Sequence, residues 1–124
     1  MNQVLREQML TPYLESKEYG GIRYFHDLPL NVLERLIAEN FVELDEWNDC
    51  PGVSAAFLPF MQRHPSFKAF GYAVSPERED ARITIEGVEQ FGDLTKDEVI
   101  DFAMTFGRAD EIQITENYAR CWYD

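Results

Sequence analysis

The chain has 124 residues, 23 of them acidic and 11 basic, for a formal charge of −12. Such a surface repels phosphate backbones and anionic lipids, so direct nucleic-acid binding and membrane adhesion are disfavoured functions. Hydrophobic residues make up 45 %, with nine Phe, six Tyr and two Trp; that suits one folded domain and excludes an acidic disordered chain.

At the start, Val4, Leu5, Gln8 and Met9 form a short helical stripe. Thr11-Pro12 can restart a helix as cap and first-turn proline, and Gly20-Gly21 ends it. Residues 1–20 therefore read as a helical arm free to move, because short helices persist only through packing. Met1-Asn2-Gln3-Val4-Leu5-Arg6-Glu7 puts charge where a signal peptide needs an apolar core, so a cytoplasmic chain is expected. Ile22-Arg23-Tyr24-Phe25-His26 reads as a short strand or an extended connection. Asp27 and Pro29 then open a helix to about Asn40, with Val32, Leu33, Leu36 and Ile37 inward and Glu34, Arg35 and Glu39 solvated. Glu43 to Asp49 is an acidic connection anchored by Leu44 and Trp47 and closed by Pro51-Gly52.

Ser54 is positioned to cap a helix to Arg63 that buries Phe57, Phe60, Met61 and His64, with Pro59 tolerated in its first turn. Phe67–Ser75, a polar turn and Ala81–Glu89 read as a hairpin. Ile83 and Ile85 alternate with Arg82, Thr84 and Glu86, so one face is buried and the other wet. In the partner strand Phe70, Tyr72 and Val74 oppose Phe67, Ala69, Gly71 and Ala73, as in a central strand on whose small residues a helix can sit. Thr95-Lys96-Asp97-Glu98 is a capping box, opening a helix with Val99, Ile100, Ala103 and Phe106 inward and Gly107 as its stop. Ile112 and Ile114 begin a second hairpin that turns at Glu116-Asn117 and returns through Tyr118–Tyr123. The order predicts a single α+β domain over 1–124: an antiparallel sheet of about four strands in two hairpins, with three or four helices.

Motifs of chemistry are absent. There is no glycine-rich phosphate loop and no G-x-S-x-G elbow. His26, Cys50, His64 and Cys121 are scattered singly, so neither a zinc site nor a cysteine–histidine pair follows from spacing, and both cysteines read as free structural thiols. The acidic stretch from Asp45 to Gly52 misses the calcium-loop pattern, because Trp47 takes a ligand position and the glycine comes late. Carboxylates are too plentiful for any pair to be singled out. No catalytic residue, metal ligand or cofactor is assigned.

Lys68-Ala69-Phe70-Gly71-Tyr72-Ala73-Val74-Ser75 resembles the RNP1 signature of RNA recognition motifs, in which two aromatics stack on bases. Ala69 stands where that signature has glycine, Ser75 where it has an aromatic, and the net charge opposes RNA binding. A central strand explains the same letters.

Two surfaces remain. Acids outnumber bases ten to four over residues 1–50 and eight to three over 93–124, against five to four between them, so the helical parts carry the charge. In the last strand, alternation puts Ala119, Cys121 and Tyr123 inward beside Ile112 and Ile114, and leaves Tyr118, Arg120 and Trp122 at least partly exposed. Tyr, Arg and Trp are the types most enriched at binding hot spots, so this triplet is the candidate contact surface; the alternative is Trp122 in the core. The expected function is a non-catalytic protein-interaction or accessory module, whose partner is another protein and, given the charge, a basic one; self-association is compatible with it. An acidic DNA mimic that occupies a DNA-binding protein is the alternative. An enzyme with an unfamiliar site comes third, and needs a pocket that gathers His26 or His64 with acids.

Overall fold

In the computed structural model, which describes residues 3–124, the chain pairs as one antiparallel sheet of β1 (Ile22–Leu28), β2 (Lys68–Val74), β3 (Ile83–Phe91), β4 (Glu111–Thr115) and β5 (Tyr118–Trp122). The strand order is β1-β2-β3-β5-β4. Among the described residues the α-helices are α1 (Gln3–Leu10), α2 (Leu30–Ala38), α3 (Leu58–Arg63) and α4 (Lys96–Phe106). All of them feed one core, on the sheet face that carries Phe25, Ala69, Ile83, Ile85, Val88, Ala119 and Cys121. The class is α+β, with five strands rather than four.

The extra strand is β1, and the segment before it explains why. Thr11-Pro12 yields only a single 3₁₀ turn, Thr11–Tyr13, after which Leu14 bridges to Phe25 and Tyr19 to Ile22. Gly20 and Gly21, with φ of 60° and 88°, turn an irregular hairpin instead of stopping a helix. The arm is also rotated from its predicted phase: Val4 is exposed, while Arg6, Met9 and Leu10 are buried. Arg6 Nη2 donates to the Val74 carbonyl at 2.6 Å, which ties α1 to the far end of β2.

The helices follow local rules with two corrections. Helix α2 buries Leu33 and Leu36 and exposes Glu34, Arg35 and Glu39, as its spacing requires. Ser54 does not cap a helix. The chain enters through a π-helical turn, Val53–Phe57, after Gly52, whose φ is 87° and where a Cβ would lie 2.8 Å from the Asp45 backbone. The capping box on α4 is present: the Glu98 N–H donates to Thr95 Oγ1 at 3.1 Å and the Thr95 N–H to Glu98 Oε1 at 2.8 Å. The α4 stripe is Glu98, Phe102 and Phe106, with Ile100 exposed. Phe102 decides the rotation, because its ring stacks 5.6 Å from Phe67 and meets Phe60 edge to face at 6.0 Å in an aromatic cluster that Ile100 could not fill.

The central hairpin has the predicted alternation, modified by a bulge. Phe70 pairs with Gly87 and Gly71 with Ile85, leaving Glu86 as the extra residue. Gly71 must be glycine, since a Cβ would come 1.9 Å from the Thr84 carbonyl oxygen. Ile112 and Ile114 correct the expectation for the second hairpin. They lie level with Cys121 and Ala119 but stay 42 % and 37 % exposed, because β4 is the sheet edge and alternation sets a face without covering it. No helix among the described residues is long and apolar enough to cross a membrane.

Candidate functional site

The sheet face opposite the helices carries its own pattern. Register places Tyr24, Tyr72 and Thr84 in one row, Gly87, Trp122 and Glu111 in another, and Phe91, Tyr118 and Thr115 in a third. The triplet Tyr118, Arg120 and Trp122 lies on this face, each side chain half-buried, while Ala119, Cys121 and Tyr123 are buried beneath. Trp122 is therefore not a core residue.

Each of the three is held by a named neighbour. Tyr118 donates its hydroxyl to Glu89 at 3.1 Å and packs 4.8 Å from Phe91. Burial and the Glu89 carboxylate push the Tyr118 hydroxyl above its ordinary pKa. Arg120 lies 4.8 Å over the Phe70 ring and bonds Glu111 at 3.3 Å. Trp122 lies beside Glu86, whose carboxyl is shifted up by burial and by nearby Asp124 against the pull of Trp122 and Arg120. Farther along, Tyr19, Tyr24 and Tyr72 meet edge to face at 6.3 Å each.

A groove of about 460 Å³ opens beside Tyr72 and Trp47. Its wall exists because β5 covers only the second half of β3. Beside the first half the chain runs in parallel: the Glu43 N–H donates to the Ile83 carbonyl at 3.0 Å, and the Ile83 N–H to the Phe41 carbonyl at 3.2 Å. The chain then reverses at Trp47–Cys50. Glu43, Asp45 and Glu46 line the groove from this wall, Glu86 from the bulge and Asp124 from beyond β5. Among the described residues the single basic one lining it is Arg82, which lies 5.6 Å over the Tyr72 ring and donates to its hydroxyl at 3.0 Å and to Thr84 at 3.2 Å. The predicted wet face of β3 is thus roofed, and Thr84 is buried. Sequence reading missed this groove, and its only local trace is the acidic run from Glu43 to Asp49.

The other candidates fall elsewhere. His64 does meet an acid, with Nε2 2.7 Å from Asp101. Asp101 also accepts from Arg63 at 2.8 and 3.2 Å and from Thr105 at 3.0 Å. Chiefly through the Arg63 bond, its carboxyl is pulled down to about 2. This is a clamp between α3 and α4. His26 bonds Glu15 at the surface. Cys50 and Cys121 are buried free thiols; burial raises both, Cys121 to about 12, the reverse of nucleophile activation. Among the described residues no cluster of three His, Cys, Asp or Glu could hold a metal ion. Phe70 and Tyr72, the RNP1-like pair, do face outward, but Arg120 covers Phe70, which is 5 % exposed, and Arg82 covers Tyr72. A cleft of about 540 Å³ beside α1 has Arg6 and Arg23 opposed by Glu7, Glu18 and Glu77, with Arg23 already committed to the Glu15 carbonyl.

No family model, no curated protein and no solved structure matches this chain.

Proposed function

We propose that the chain is a non-catalytic protein-interaction module that receives its partner on the uncovered face of the sheet, with Tyr118, Arg120 and Trp122 in the contact. The observation that carries this reading is the asymmetry of the sheet. Every helix feeds the opposite face, while this one presents half-buried Tyr118 and Trp122 together with exposed Tyr24 and Phe91. Tyrosine, tryptophan and arginine combine a large rigid contact area with a polar tip, which is what a protein interface uses. The two buried, unpaired thiols fit a reducing compartment such as the cytoplasm.

A photo-crosslinking amino acid placed at Trp122 in the native cells tests the reading, with Gln62 on the helical side as the control position. Protein adducts from position 122 and none from 62 are the expected result; adducts from 62 alone would sink it. The second reading, an acidic stand-in for DNA phosphates, draws on the carboxylates gathered in the groove. In that case duplex DNA would displace the partner, and displacement would fade at high salt.

A further inference from the structure

Resting on that reading, we infer that the groove between Trp47 and Tyr72 is the seat for an arginine-bearing segment of the partner protein. The sheet face is unpartnered, and charge complementarity says what fits it. The carboxylates of Glu43, Asp45, Glu46, Glu86 and Asp124 line one groove of about 460 Å³ against a single guanidinium, that of Arg82. They come from three separate stretches of chain, so the fold, and not a local acidic run, brings them together.

Shape selects the kind of cation. The uncovered face already holds two guanidinium groups over aromatic rings, Arg82 at 5.6 Å from Tyr72 and Arg120 at 4.8 Å from Phe70. A planar, weakly hydrated guanidinium suits such rings and can bond a carboxylate through two nitrogens at once, which an ammonium cannot. Trp47, half-buried in the groove wall, supplies a further ring beside the carboxylates. Glu86 is the central acceptor. It is half-buried beside Asp124, so a cation arriving there compensates a carboxylate that water reaches only in part. A phosphate-bearing or acidic ligand meets the opposite of what it needs.

The probe is a synthetic octapeptide of alternating glycine and arginine, titrated calorimetrically into the intact chain at low salt. A glycine–citrulline peptide of the same length keeps the shape and removes the charge. The expected results are binding of the arginine peptide, and affinity weaker by about tenfold or more for citrulline and for the Glu86→Gln/Asp45→Asn variant. The variant Glu34→Gln/Glu39→Gln removes the same charge from the exposed side of α2 and should bind as the parent does. Equal weakening by both double variants would mean attraction to net charge alone and would overturn the proposal; so would equal affinity for citrulline. Thermal melts of both variants show that each is folded. If the arginine peptide fails to bind while crosslinks still form at position 122, the arginine seat is wrong and the interaction reading stands. If both fail, both readings fall.

Discussion

The two faces of this sheet are built from the same strands and obey different rules. On the helical face the strands present Ala69, Ala73, Ile83, Ile85 and Ala119, and the helices fill the space with Phe57, Phe60, Phe102 and Phe106. Any residue of the right volume and polarity could serve there. On the opposite face almost every large side chain has a specific partner: Tyr118 with Glu89, Arg120 with Phe70 and Glu111, Arg82 with Tyr72 and Thr84, Trp122 with Glu86. Volume holds one face and pairing holds the other. The paired face is therefore the one that can exchange an internal partner for an external one.

Substitutions can break this contrast. The largest effect is expected at Phe60, fully buried and in ring contact with Phe67 at 4.8 Å and Phe106 at 4.9 Å. Phe60→Ala should cost about 3–5 kcal/mol in urea unfolding. The Asp101 clamp at the rim of the helical side comes next. Its folded pKa of about 2 lies below the ordinary aspartate value of 3.8, so its stabilising contribution is complete above the unfolded pKa and is lost as pH falls from about 4 to about 2. That contribution is about 2 kcal/mol at most, because the site is partly solvated; urea midpoints measured between pH 5 and 2 should fall less steeply in Asp101→Asn. Because Thr105 donates to Asp101 at 3.0 Å, Thr105→Ala should soften the same acid transition.

On the paired face the effects shrink. Arg82→Ala removes the bonds to Tyr72 and Thr84 and should cost about 1 kcal/mol. Phe91, 70 % exposed, should tolerate alanine within about 0.5 kcal/mol. Should Phe91→Ala and Phe60→Ala prove equally damaging, the division between the faces would be wrong.

What could be read from sequence was local. The Thr95–Glu98 box and the Ile83/Ile85 alternation each close within a few residues, so hydrogen-bond reach and strand pleating fix them without the rest of the chain. The rotation of α4 was misread because Ile100 is as apolar as Phe102, and only the cluster formed with Phe60 and Phe67 decides between them. Ile112 and Ile114 were placed on the correct side of the sheet, but coverage depends on where the helices end. The triplet in β5 was legible from alternation alone. The groove was not: Glu43, Tyr72, Glu86 and Asp124 meet only because residues 41–43 pair beside β3 where β5 stops short.

That substitute strand leads to a reversal of the chain that ends at Cys50, while Cys121 lies in β5, and both side chains belong to the same core beneath the sheet. Both thiols are shielded and held in the protonated form by burial, so an alkylating reagent can reach each only when its own surroundings open. The sequence thus contains two labelling clocks in one core. Cys50 times the loosening of the wall and Cys121 the parting of β5 from β3. An occupant seated against Trp47 should slow the first clock more than the second.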